Sequence, residues 1–305
     1  MSDYLLDRLQ LKSKISFWRN AALCILMALV IYFFPKFYNG NSASILQESH
    51  IARINIEGEI EENFYREQIL ENLAKNDYVK AVIMKLNTSG GTVYGGENLY
   101  NSIRKISNKK PVVAVMGTYA ASAGYMVAVA ADSVFAGNTT TTGSIGTILI
   151  AGEVSELAKK LGVDFIVLKS GELKAEPLFN HKMTQEVKEV TMELIMDNYN
   201  FFVDTVSERR QIPREQVLKL ADGRVFTGRQ ALGNKLIDAI GGEDEAVDWL
   251  VVNKSIVKDL PIKDFTLHKE EKIYERFVEP LGKMNIILDY AVNLVKSSQN
   301  QLVFR

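Results

Sequence analysis

PVVAVMGTYAASAGYMVAVAADSVFAG, residues 111–137, decides the fold. Its first seven residues are continuously apolar, Val-rich and end on a glycine, the pattern of a strand. The next fifteen, 118–132, are dominated by Ala and Gly around one serine and read as a tightly packed helix over 122–131. DSVFAG, 132–137, returns to strand chemistry. Outward from this unit, IARINIEGEI (51–60), VKAVIMKLN (79–87) and VDFIVLKS (163–170) read as further strands, with helices at 62–75, 95–107 and 153–161 between them. Strands and helices in alternation specify an α/β domain with a mainly parallel sheet covered by helices. A long helix is expected at 184–208, where Val187, Val190, Leu194, Ile195, Tyr199, Phe202, Val203 and Val206 recur at helical spacing. Shorter ones follow at 213–220, with Pro213 suited to a first turn, at 228–234 and at 243–252. Residues 255–305 show no clear organisation beyond a packed or interfacial helix at 284–295.

Composition removes several function classes. The 305 residues are 47% apolar and 24% charged, values of a globular chain, and 36 Lys plus Arg against 37 Asp plus Glu leave a net charge of −1. No basic field exists to neutralise many phosphates, so nucleic acid is not an expected partner. The single Cys24 cannot form an intrachain disulfide, and His50, His181 and His268 lack metal-ligand spacing, so no metal or cofactor is expected.

The N-terminal region reads as a membrane anchor. AALCILMALVIYFF, 21–34, is unbroken apolar sequence, and from Phe17 to Tyr38 the stretch reaches the roughly 20 residues a spanning helix needs if Arg19 snorkels. A cleaved signal peptide is the rival, but the small residues Ser42, Ala43 and Ser44 lie late for a cleavage site. Arg8, Lys12, Lys14 and Arg19 precede the run, which keeps 1–16 in the cytoplasm and exports the rest. The expected organisation is therefore a cytoplasmic segment 1–16, an anchor 17–38, a linker 39–50, a domain 51–252 and an extension 253–305.

Three loops could hold chemistry. NTSGGTV, 87–93, follows a strand, where paired glycines let backbone N–H groups approach a ligand. In TYAASAGYMVAVAAD, Ser122 sits at a strand-to-helix junction like a nucleophile at an elbow, although a helix N-cap is the ordinary alternative. TTTTGSIGTI, 139–148, is followed by LKSGELKAE, 168–176. A serine nucleophile needs a base, and no histidine lies near a strand end in this region. A desolvated lysine can accept the proton instead, and by position Lys169 and Lys174 both qualify.

Together these segments resemble the signal peptide peptidase A family, membrane-anchored serine proteases with a Ser-Lys dyad, over roughly 51–250. NTSGGTV is similar to the family's Asn-x-Pro-Gly-Gly-x-Val loop, AASAGYM to its nucleophile segment, TGSIGTI to its Thr-Gly-Ser-Ile-Gly segment, KSGELKAE to its base segment, and ADGRVFTGRQALGNKLIDAIGG (221–242) to its closing signature. The resemblance implies a Clp protease/crotonase-like fold, Ser122 as nucleophile and Lys174 as general base. It further implies an oxyanion hole from the N–H groups of Gly91 and Ala123, with Ser144 orienting the lysine amine. Ser89, Ala123 and Ala175 depart from the family's Pro, Gly and Asp, and none of these changes removes a reacting group. One nucleophile segment and one base segment mark the short, single-copy type, which implies a homo-oligomeric ring with sites completed between neighbours. The implied partners are peptides near the membrane, including cleaved signal peptides. Two other readings are a catalytically inactive, membrane-bound peptide-binding scaffold and a crotonase-like acyl-CoA enzyme.

Overall fold

The computed structural model describes residues 48–267, with residues 18–20, 22–23 and 25–27 as helical pieces of the N-terminal run. The rest of the expected anchor 17–38, most of the linker and the 284–295 stretch lie outside the described residues. Among the described residues no helix is long and apolar enough to cross a membrane.

Eight strands form one sheet: β1 (His50–Ile60), β2 (Val79–Gly91), β3 (Val112–Ala121), β4 (Ser133–Ala136), β5 (Thr141–Gly143), β6 (Val225–Thr227), β7 (Ala239–Ile240) and β8 (Ile262–Phe265). The helices are α1 (Phe64–Lys75), α2 (Val93–Ser107), α3 (Ala123–Ala128), α4 (Ser155–Lys160), α5 (Gln185–Arg210), α6 (Arg214–Leu220), α7 (Gly228–Gly233) and α8 (Glu243–Lys254). The sheet order is β6-β5-β3-β2-β1-β8, with β4 beside β3 and β7 beside β4. Every pairing is parallel except β5 with β6.

Burial on both faces explains the unbroken apolar runs. Ala52, Ile54, Val82, Met84, Leu86, Val112 and Ala114 point into the larger core, while Ile51, Ala81, Ile83, Val113 and Val115 face a second cluster closed by Ala246 and Leu250 of α8. Side chains two apart share a face, so each strand serves both layers. Arg53 on β1 fastens the sheet edge, its guanidinium lying 2.6 Å from Asp264 on β8 and 2.8 Å from Glu243 at the start of α8.

Strand β3 changes partner along its length. Val113–Met116 pair with β4, and Tyr119–Ala121 pair with β5. The end of β3 is thereby clamped between β2 and β5 immediately before Ser122. The expected helix 122–131 is shorter, ending at Ala128.

One expected strand is absent. Residues 163–170 join no strand ladder among the described residues, and Ile166 and Leu168 are 88% and 93% exposed. Within the sheet, β3 is flanked by β4 and β5, whose outer edges are occupied by β7 and β6. Among the described residues the segment joins no ladder, and an extended run without one leaves its backbone groups to solvent. Strands β5, β6 and β7, two or three residues long, lie below the length at which periodicity can be read.

Candidate active site

Ser122 occupies a strained turn between β3 and α3, with φ 54° and ψ −124°. A non-glycine residue in such a region costs of order 1–3 kcal/mol and persists only where its surroundings over-determine it. They do so here. Ser122 N–H donates to Gly143 O at 2.9 Å, and its carbonyl accepts from Tyr125 N and Met126 N at 2.9 and 3.0 Å. The serine stands at the N-cap position, yet its side chain makes no capping hydrogen bond. The hydroxyl is thus not spent on the helix. Behind it, every residue of α3 is buried, and Tyr125 Oη donates to Leu236 O at 2.8 Å.

The Ala and Gly content of this segment follows from close packing. A Cβ on Gly124 would lie 2.6 Å from Thr88 Cγ2, and one on Gly96 would lie 2.8 Å from Ala123 Cβ. The Gly90–Gly91 pair is constrained in the same way. Gly90 has φ +122°, and a Cβ there would sit 2.8 Å from Ser122 Cβ and 3.2 Å from its Oγ. A Cβ on Gly91 would fall 2.0 Å from Ile60 O. Thr92 completes the loop: its N–H donates to Ile60 O at 3.0 Å, and its hydroxyl accepts from Gly95 N at 3.1 Å as the cap of α2. The two glycines are more than permissive turn residues: the room they leave is occupied by Ser122 and β1.

A third strand end joins these two. Ser144 follows β5 with φ 51°, and its N–H donates to Arg224 O at 2.8 Å. Gly91, Ser122, Ala123 and Ser144 line one cleft of about 560 Å³. Its apolar wall comes from α5, through Ile195, Met196, Tyr199 and Phe202. Three of these four belong to the stripe visible in the sequence, where spacing alone could not distinguish a cleft wall from core or interface. Asp222 also lines the cleft. Hydrogen bonds from the Arg224 side chain and backbone lower its pKa to about 2, so its carboxylate is a poor proton acceptor.

Of the five expected site residues the structure gathers four. Lys174 does not line the cleft; it is exposed on the loop after Lys169. Lys169 is already committed elsewhere, its Nζ lying 2.5 Å from Glu176 Oε1 and donating to Glu172 O. Among the described residues no histidine lines the Ser122 cleft. No group of three or more His, Cys, Asp or Glu among them could hold a metal ion.

The chain also matches known proteins. The peptidase family S49 profile matches residues 104–256, half of the chain, and the Clp protease profile matches residues 40–161. A Synechocystis sp. protein named as a protease, slr0021, is 37% identical over 201 residues, covering 65% of this chain and 72% of that protein. An Enterococcus faecium protein named as signal peptide peptidase SppA is 36% identical over 188 residues, covering 61% of this chain and 55% of its own length. Protease 4 of Haemophilus influenzae is 32% identical over 263 residues, covering 83% of this chain but 41% of that protein. With a Clp protease-like parallel sheet carrying a serine elbow, and a family match over half its length, the chain belongs to peptidase family S49 and is related to signal peptide peptidase A.

Proposed function

We propose that the protein is a membrane-anchored serine endopeptidase that hydrolyses peptides near the membrane, including remnants of cleaved signal peptides, with Ser122 as nucleophile and Lys174 as base. The observation that carries the reading is the strained, uncapped Ser122 at the mouth of a cleft shared with Gly91, Ala123 and Ser144. In this reading Ser122 Oγ attacks the scissile carbonyl while the Lys174 amine takes its proton, and the ammonium returns that proton to the departing amine. Water then releases the acyl group by the reverse proton route. The N–H groups of Gly91 and Ala123 face the developing oxyanion, where each donor is worth about 2.7–4 kcal/mol. Ser144 orients the amine.

Because Lys174 stands outside the cleft of its own protomer, the base comes from a neighbouring copy. A head-to-tail contact of this kind is heterologous, and with a closing rotation it generates the ring proposed here. The neighbour also removes water, which a lysine needs before its neutral amine can serve as base. In support, the exposed apolar side chains of Ile148, Ile150, Ile166 and Leu168 offer a surface for such a contact. The anchor at 17–38 would hold the domain on the exported side of the cell membrane, consistent with peptides that remain there after secretion.

Complementation tests the reading. Ser122→Ala and Lys174→Ala, inactive when expressed alone, should recover about a quarter of the sites when co-expressed at equal levels, because random mixing pairs an intact serine with an intact neighbouring lysine in one site of four. No recovery in a verified mixed oligomer would exclude a shared dyad. Full activity in Lys174→Ala alone would exclude this lysine as base.

A further inference from the structure

The loop that bears Lys174 is closed by a buried carboxylate two residues away. The side chain of Glu176 is 4% exposed and holds three points of the chain. Its Oε1 lies 2.5 Å from Lys169 Nζ and 3.0 Å from His181 Nε2, and its Oε2 accepts the Leu178 N–H at 3.0 Å. Lys169 precedes the loop, while Leu178 and His181 follow it, so the carboxylate ties the loop's two ends together. Inside the loop the backbone turns twice, with Lys174 N donating to Gly171 O at 3.0 Å and Glu176 N to Leu173 O at 3.3 Å. Lys169 Nζ adds a second bond to Glu172 O. Lys174 therefore sits on the exposed tip of a closed loop, and Ala175 beside it is held at φ 67°, a conformation that a free chain with a Cβ avoids.

A long aliphatic amine on an unanchored loop would spend little time within reach of one hydroxyl. Proton transfer requires the base held to within about half an ångström by residues that are themselves locked. With the Glu176 side chain shielded and its partners Lys169 and His181 only 20% and 40% exposed, these contacts carry more weight than a fully solvated pair. We propose that Glu176 is a positioning residue for the reaction: with Lys169 and His181 it fixes the loop so that Lys174 is presented to the Ser122 of the adjoining copy. The proposal rests on Lys174 being the base. It also gives Lys169 a role, as the partner that keeps Glu176 charged and inward. Residue 175 is Ala and carries no carboxylate, so the nearest one on the chain after the base is that of Glu176.

The test uses the full-length oligomer and two readouts. Glu176→Gln keeps the size and an acceptor for Leu178 N–H but removes the charge. It should lower kcat about ten- to a hundredfold with KM within twofold, as expected for a misplaced catalytic group rather than lost substrate binding. Amide hydrogen exchange over residues 169–181 should accelerate in the same variant. Lys169→Met should act in the same direction by about tenfold, and the double variant should be no worse than Glu176→Gln alone, since the two side chains act as one unit. Glu176→Asp, which retains the charge, should recover part of kcat. Unchanged kcat in Glu176→Gln overturns the proposal, whether or not exchange accelerates. A fall in kcat without faster exchange overturns the clamp. Wild-type activity in Lys174→Ala instead removes the base assignment itself, so the two failures are distinguishable.

Discussion

Strand β3 and the segment 163–168 both carry an apolar run that reads as a strand, yet they end in opposite environments. Val112, Val113 and Ala114 are fully buried between two layers, while Ile166 and Leu168 lie almost wholly open to solvent. The difference is not hydrophobicity, since each run holds four consecutive apolar residues, VVAV at 112–115 and FIVL at 165–168. β3 has β2 on one side and β4 and β5 on the other, whereas the 163–168 segment joins no strand ladder among the described residues. An apolar run thus records that a surface will be covered, and the chain's own topology decides whether the chain can cover it. In the reading proposed above a second copy does so.

The largest expected effect breaks the chemistry alone. Ser122→Ala and Lys174→Ala should each lower kcat by about four orders of magnitude or more, and the double variant should be no worse, because a nucleophile and its base act as a unit. Circular dichroism and the unfolding midpoint should stay near wild type for Lys174→Ala, since its side chain is exposed. Additive losses in the double variant would show that the two residues do not share a step.

The next effect sharpens the contrast between the two apolar runs. Ile83→Ala, inside the second core cluster, should cost about 2–5 kcal/mol in urea unfolding. Paired Ile166→Lys and Leu168→Lys should change protomer stability by no more than about 0.5 kcal/mol, because neither side chain is buried by its own chain. The same pair should dissolve the assembly on sedimentation and take the shared activity with it. Loss of protomer stability comparable to that of Ile83→Ala would place the segment in a core of its own.

Glycines give a smaller and more local comparison. Gly90→Ala forces a Cβ to within 2.8 Å of Ser122 Cβ at φ +122°, whereas at Gly58, φ +73°, nothing lies within 4 Å. Gly58→Ala should cost only the backbone term, about 1 kcal/mol. Gly90→Ala should cost more in stability and lower kcat about a hundredfold by displacing the nucleophile. Equal kcat values for the two variants would mean that Ser122 tolerates displacement.

These contrasts also show how much the sequence could tell. The strand runs at 79–87 and 111–117 were legible because burial on both faces leaves a strong apolar signal, that at 51–60 because apolar residues alternate with exposed polar ones, and the helices followed from turn residues and spacing. Ser122, Gly91 and Ser144 were legible as loop motifs at strand ends. That their loops converge on one cleft required the β3–β5 pairing, carried by a strand of three residues. The role of Ile195, Tyr199 and Phe202 as a cleft wall was hidden because helical spacing reports a covered face without saying what covers it. Glu176 was invisible for a different reason. Its partners lie five and seven residues away on an irregular loop, where no periodicity exists to announce them.

The smallest expected effect concerns the acid at the cleft rim. Asp222 and Arg224 sit on the turn that reaches Ser144 through the Arg224 carbonyl, and hydrogen bonds from Arg224 lower the Asp222 pKa from 3.8 to about 2. A carboxylate whose folded pKa is depressed stabilises the fold above its unfolded value and loses that contribution as pH falls through the folded one. The stability difference between wild type and Asp222→Asn should therefore be nearly constant above pH 5, shrink below about pH 4 and vanish near pH 2. The pair is about half exposed, with side-chain exposures of 61% and 46%, so added salt should weaken the effect. Urea midpoints measured across pH 2–6 at low and high salt would show both trends. A difference independent of pH would mean that Asp222 holds the turn through shape and neutral hydrogen bonds, and that its charge contributes nothing to the placement of Ser144.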